Sequence, residues 1–340
     1  MLAVSLSGCV SGSADSNARI SVIDSLELVG TDSAFVARPS AVAITGDRQI
    51  LVADNGNMAV WRFDSTGRLL GRVGAPGDGP GGLRSATDIA LIGDSLIVVN
   101  NMVRRHLEIF SLPEGNYKAS IQIPLSVASI RTAGDTVLLG GIDPAGEHSV
   151  LEVPMGLGKQ VGSGPVPLLL ARNPILIGPF GNLLFDIRAG LRASAFEASD
   201  WLFFWTERAK ADSVAMPKIR RRGARVDLLS AVARDTSKGL AALFKSSVPM
   251  YLRFLSDRTV LVVHGDLDFE RTLFTGVFFA STVDLVTRRP VCVDMRVPVP
   301  SDPLPKFFTA GDTLFAVVQH DQGRTFLVRM RVPNEACHQE

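Results

Sequence analysis

Gly46-Asp47-Arg48-Gln49-Ile50-Leu51-Val52-Ala53-Asp54-Asn55-Gly56-Asn57-Met58-Ala59-Val60-Trp61-Arg62-Phe63-Asp64 is the stretch on which the fold turns. A Gly-Asp pair opens it, and an apolar run over Ile50–Ala53 follows. A polar loop then separates that run from a second one, Val60–Phe63, which ends in Asp64-Ser65-Thr66-Gly67. Short β-branched and aromatic runs punctuated by Gly, Asp and Asn read as strands joined by hairpins. With Ser40–Ile44 before it and Leu69–Val73 after it, the stretch predicts four successive antiparallel strands.

The same punctuation returns along the chain. Gly93-Asp94 precedes Leu96–Val99, and Gly134-Asp135 precedes Val137–Leu139. Ser199-Asp200 precedes Trp201–Phe204, Ser256-Asp257 precedes Val260–Val263, and Gly311-Asp312 precedes Leu314–Val317. The six turns recur at intervals of roughly 40 to 65 residues, and a four-stranded unit repeating about every 40 to 50 residues is a propeller blade. The second copy reads as Thr87–Ile92, Leu96–Val99, His106–Phe110 and Ala119–Ile123. The last repeat, Leu304–Val332, has room for three strands only, whereas Arg19–Val29 is a strand with no blade of its own. Joining the two predicts an all-β, six-bladed β-propeller over residues 19–332, its N-terminal strand closing the last blade so that no sheet edge is left open. Residues 1–18 read as a signal remnant and tether, and residues 333–340 as a C-terminal tail. A β-sandwich or a pair of small β domains is the competing arrangement.

Composition excludes several classes of function. With 46% hydrophobic and 20% charged residues, the chain has ample core material and lacks the signature of disorder. Lys and Arg number 35 against 34 Asp and Glu, so no global field favours nucleic acid or an anionic bilayer. The most apolar window, Val166–Phe185, is broken by Pro167, Arg172, Asn173, Pro174 and Pro179 and predicts no membrane span. Lys218–Arg225 is a basic run that reads as a solvated loop, and Val226–Lys245 reads as an amphipathic helix or helix pair.

Leu6-Ser7-Gly8-Cys9 resembles the lipobox of bacterial lipoproteins. That resemblance implies a lipid on Cys9, membrane contact through it alone, and a place in the cell envelope, periplasmic or surface-exposed. No Lys or Arg precedes the apolar stretch, which points to a start codon placed too late. Val10–Asn17 reads as a flexible tether. Cys292 and Cys337 then form an even pair, for which a disulfide and two separate buried thiols both stay open.

The strand pair Ile50–Asp54 and Ala59–Asp64, with the connector Gly74-Ala75-Pro76-Gly77-Asp78-Gly79-Pro80-Gly81-Gly82-Leu83, resembles bacterial six-bladed β-propeller lipoproteins related to NHL-repeat proteins. Gly82 and Leu83 stand where that family usually has an acidic residue and an aromatic. The connector is not a phosphate loop, because neither a helix N-terminus nor a Lys-Ser/Thr pair follows it.

In a propeller, the loops after each second strand gather on one face around the channel mouth. The register predicts a ligand-binding rim of Asp54, Asn57, Asn101, Arg105, His148, Arg208, His264, Asp266, His320 and Asp321. Asp88, Arg131, Glu197, Arg253 and Lys306 are expected on the inner strands, turned into the channel, since charge between packed blades is costly. Two functions follow. The rim can hold a protein, peptide or carbohydrate by hydrogen bonds, without catalysis. Alternatively, His148, His264 and His320 can ligate a divalent metal and serve a hydrolase or lyase. No Gly-x-Ser-x-Gly, His-Glu-x-x-His or Cys-x-x-Cys occurs, so the binding reading leads and catalytic residues are not assigned.

Overall fold

The computed structural model describes residues 19–333 except 125–126, 128, 157–158, 168–169, 172–182, 197–200, 207–209, 217–233, 236, 238–246, 269–274, 301–303, 312 and 321–322. Among the described residues, twenty-four strands make six four-stranded antiparallel sheets, each one blade. Blade one is Pro39–Ile44, Ile50–Asp54, Ala59–Phe63 and Leu69–Val73. Blade two is Ile89–Ile92, Leu96–Asn101, His106–Ser111 and Tyr117–Gln122. Blade three follows with Ser129–Ala133, Thr136–Gly140, Val150–Pro154 and Val161–Ser163. Blade four holds Leu183–Arg188, Leu191–Phe196, Trp201–Thr206 and Asp212–Ala215. Blade five is the longest, with Ser247–Phe254, Thr259–Asp268, Thr275–Asp284 and Arg289–Arg296. Blade six has Lys306–Ala310, Thr313–Gln319 and Thr325–Arg331, and its fourth strand is Ser21–Leu28 from the other end of the described chain. The first strands touch in sequence around the axis, with Lys306–Ala310 returning to Pro39–Ile44.

Burial peaks at the second strand of each blade and falls off both toward the channel and toward the rim of the ring. All five residues of Ile50–Asp54 are buried, because a second strand is covered by a neighbouring blade on each face. This is why such strands read as continuous apolar runs instead of alternating ones. Tyr117–Gln122, outermost in its blade, is almost wholly exposed. The core lies in wedges between blades: Leu51, Val60, Leu83, Ile97 and Phe110 fill the first, and Leu138, Phe185, Phe196 and Trp205 fill the third.

The closing strand pairs from Ser21 with Arg331 to Leu28 with Thr325, with one slip between Val22 and Asp24. Arg324 grips Glu27 through two hydrogen bonds of 2.6 Å, and Arg329 pairs with Asp24. Both pairs are exposed and set register more than stability. The strand also reaches blade one, where Val29 donates to the Gly67 carbonyl at 2.8 Å and Leu69 donates to the Val29 carbonyl at 3.2 Å. Gly67 has φ +82°, and a Cβ there would lie 2.1 Å from the Glu27 carbonyl oxygen, so the seam closes only over glycine.

Blade four differs from the expected register. Its first hairpin turns at Ala189 and Gly190, with φ of 49° and 80°, the doubly positive turn that matches strand twist. Trp201–Thr206 is therefore the third strand and not the second. A Ser-Asp pair before an aromatic run carries the same local signal whichever two strands it joins, and pairing alone distinguishes them. Ser199-Asp200, the basic run and most of Val226–Lys245 lie outside the described residues, as do Cys9 and Cys337. Cys292 is buried and disulfide-bonded. No helix among the described residues is long and apolar enough to cross a membrane.

Candidate functional site

The six first strands enclose a central channel of about 650 Å³. Asp88, Arg131, Arg253 and Lys306 line it as expected, joined by Asp186 and Tyr251. Asp88 accepts from the Ile89 amide at 2.9 Å and, across to blade three, from the Ile130 amide at 2.7 Å. Asp186 repeats the arrangement between blades four and five. One of its oxygens accepts from the Phe254 amide and the other from Arg253 Nη1, each at 2.8 Å. Arg131 sits between the two carboxylates, 3.6 Å from Asp88 and 3.7 Å from Asp186. Each aspartate thus ties one inner strand to the next, and the guanidinium offsets the charge this buries.

Burial pushes the Asp88 carboxyl up, against the pull of Arg131, the two amides and Lys306. Burial also works against the Arg131 charge, but Asp88 and Asp186 outweigh it and hold the guanidinium above its ordinary value. The buried Tyr251 phenol is pushed up as well, and its hydroxyl lies 3.1 Å from Thr309 Oγ1. Asp186 is not among the expected channel residues because the Ser199-Asp200 turn puts Trp201–Phe204, and not Leu191–Phe196, in the place of the second strand. A lone carboxylate within Leu183-Leu184-Phe185-Asp186-Ile187 was the available signal. Glu197, expected on an inner strand, lies outside the described residues and follows the second strand of its blade in sequence.

The rim is a different matter. Asp54 is 0% exposed. Its Oδ1 accepts from the amides of Arg38, Gly56 and Asn57 at 2.8, 2.9 and 3.2 Å. Its Oδ2 accepts from the Ala37 amide, Asn57 Nδ2 and Trp61 Nε1 at 2.8, 2.9 and 2.9 Å. Asn101 ends the second strand of blade two as Asp54 does in blade one, and it too is 0% exposed. It accepts from the Arg84 and Ser85 amides, and its Nδ2 donates to the Gly82 carbonyl at 3.2 Å and to Glu108 at 3.3 Å. The donating amides lie 17 and 16 residues upstream in both blades. At the seventh residue downstream, blade one supplies a donor to the aspartate and blade two an acceptor to the asparagine. These side chains satisfy amides of the segment leading into each blade, amides that have no strand partner. Asp54, Asn101 and, through its bonds to Asp54 and the Phe35 carbonyl, Asn57 are scaffold and do not face a ligand.

Of the remaining rim residues, Arg105 and His320 are exposed. His320 lies edge-on to Phe326 at 5.1 Å. His148 holds its Nδ1 2.8 Å from Asp143 Oδ2. His264 is corrected outright. Its strand continues to Asp268, well past the predicted end at Val263, which moves the histidine from loop to sheet. The ring is 1% exposed and stacks on Phe279 at 5.8 Å. Burial lowers its pKa to about 4. Ser281 Oγ and Asp294 Oδ1 lie 3.3 and 3.5 Å from the same nitrogen, Nε2. A nucleophilic triad needs the base between its partners, one on each nitrogen, so this trio is not one. Asp266 is placed two residues further along the same strand, while Arg208 and Asp321 lie outside the described residues. The three histidines therefore form no common centre, and among the described residues no three His, Cys, Asp or Glu side chains gather in a metal-binding group.

Residues 10–137 match the family DUF5128, described as a 6-bladed β-propeller. No curated protein matches the chain. Among solved structures, a Bacteroides fragilis NCTC 9343 protein assigned as exported aligns with a TM-score of 0.65 and 11% identity, covering 93% of this chain and 96% of that one. A member of the DUF4221 family from Bacteroides vulgatus ATCC 8482 aligns with a TM-score of 0.66 and 11% identity, covering 94% and 100%. Virginiamycin B lyase from Staphylococcus aureus aligns with a TM-score of 0.53 and 8% identity, covering 93% and 100%. At such identities the likeness is one of fold.

Proposed function

We propose that this propeller is a non-catalytic binding protein, exported and held to the membrane by a lipid on Cys9, and that its loop face holds a protein or peptide. One observation carries the reading. The loop joining the second and third strands of blade two exposes Met102, Val103 and Arg105, and the segment leading into the adjacent blade one exposes Phe35. Apolar side chains beside an arginine are the composition of a partner-binding surface. A carbohydrate would ask for a polar rim, but Asp54, Asn57 and Asn101 are engaged by the chain's own groups. The near balance of 35 basic and 34 acidic residues argues against nucleic acid.

The test uses the full chain in its native envelope. Labelling by a fatty-acid analogue should be lost in Cys9→Ala. Cross-linking to a partner should be lost in Val103→Asp and Phe35→Asp but kept in Leu70→Asp, a change at an exposed outer-strand residue. Capture unaffected by both loop-face changes refutes the proposed surface. A stoichiometric metal that survives dialysis and is released by His148→Ala would favour the hydrolase or lyase instead.

A further inference from the structure

We propose that the central channel binds a small organic monocarboxylate, with the oxyanion held by Arg131 and Arg253 and the apolar body lying along the inner strands. The inference deepens the reading of the protein as a binder and rests on it.

Hydrogen-bonding capacity in the channel is unequally used. Asp88 and Asp186 already engage all four carboxylate oxygens, three with backbone amides and one with Arg253. The arginines are less committed. Arg131 makes one hydrogen bond, from Nη1 to the Ile130 carbonyl at 2.7 Å, and its buried Nε has no hydrogen-bond partner. The carboxylates beside it, at 3.6 and 3.7 Å, are within ion-pair range and beyond hydrogen-bond range. Arg253 donates Nη1 to Asp186. A guanidinium presents five N–H donors in a planar fork that fits the two oxygens of a carboxylate. The channel therefore offers donors where its own acceptors are engaged.

Access and size agree. The Arg253 side chain is 36% exposed and that of Arg131 19%, so both meet channel solvent. A volume of about 650 Å³ lies inside the usual range for small-ligand sites. Ala41, Ala43, Ala90, Leu184 and Phe307 supply apolar wall. Asp88 and Asp186 stand beside Arg131 and Arg253, and Lys306 also lines the channel; the two resident carboxylates repel a multiply charged phosphate more than a single negative charge on an apolar body.

The probe is hexanoate, with hexanamide and hexylamine as neutral and cationic counterparts, titrated by NMR against the full chain. Hexanoate should saturate with a Kd on the order of 1 mM, at least tenfold tighter than either counterpart. Arg253→Gln should weaken it at least tenfold. Because that change also removes a bond to Asp186, Ala43→Leu provides a second arm: it narrows the channel, leaves every charge in place and should abolish binding. Val103→Asp, which tests the loop face, should leave hexanoate binding intact. Any one of three results overturns the proposal: no saturation by about 20 mM, equal binding of hexylamine, or unchanged affinity in both channel variants. Loss of partner capture in Val103→Asp together with any of these would leave the loop-face reading standing and remove only the channel site.

Discussion

Asp54→Asn is nearly isosteric, yet it should be among the most damaging single changes available in blade one. The carboxylate accepts six hydrogen bonds, three on each oxygen. An amide keeps one oxygen, so in either orientation its NH₂ confronts three donors. Bonds to a charged group contribute about 1.5 to 3 kcal/mol each, which bounds the loss of three at roughly 4.5 to 9 kcal/mol. Arg38, Ala37 and Gly56 are exposed residues, and water can satisfy part of what is lost. The expected destabilisation is about 3 to 5 kcal/mol. Urea unfolding followed by tryptophan fluorescence should show a lower midpoint at unchanged slope. Asp32→Asn, at an exposed turn of the same lead-in segment, should leave the midpoint within error. A loss under about 1 kcal/mol in Asp54→Asn would refute the view that this side chain organises the blade.

Asn101→Asp sets a second buried carboxylate 3.3 Å from Glu108, costing about 2 to 4 kcal/mol at neutral pH. Adding Glu108→Gln should restore more than half of that in a urea double-mutant cycle, because the new amide donates to the new acceptor, and no recovery would contradict the pairing. For His264 the folded pKa of about 4 lies below the ordinary 6.5, so the unfolded chain takes up the proton first as pH falls. The stabilisation from keeping the ring neutral is present above pH 6.5 and is lost progressively down to about pH 4. It amounts to about 3 kcal/mol. The stability difference between the wild type and His264→Gln should narrow across that window, and a constant difference would exclude the linkage. Gly67→Ala should cost about 2 kcal/mol and speed amide exchange in Ser21–Leu28 and Thr325–Arg331. Gly190→Ala, with a similar φ of 80° but open space around it, should lower stability without loosening that seam.

Local chemistry carried most of the architecture. Five of the six turn pairs stand between a first and a second strand, because a tight hairpin demands particular residues whatever surrounds it. Ring closure was legible from strand counting, since a three-stranded last repeat and an orphan first strand leave one solution. The site was less legible. Asp54, Asn101 and His264 were all polar residues at the end of an apolar run, a pattern shared by ligand contacts, backbone caps and sheet interior. A better clue existed in the repeat itself, where a polar residue closing each of two second strands recurs with the same spacing to its lead-in segment.

The order of turns, runs and breaks along the chain was enough to specify six sheets, because hairpin pairing acts between neighbours a few residues apart; the seam joins segments about 300 residues apart and was legible only because the last repeat lacked one strand. It could not say which side chains meet across blades. Asp88 reaches the Ile130 amide and Asp186 the Phe254 amide, 42 and 68 residues away, and no local pattern encodes such distances. Only when six radial sheets share an axis do those aspartates become inter-blade ties, with Arg131 and Arg253 beside them in the channel wall.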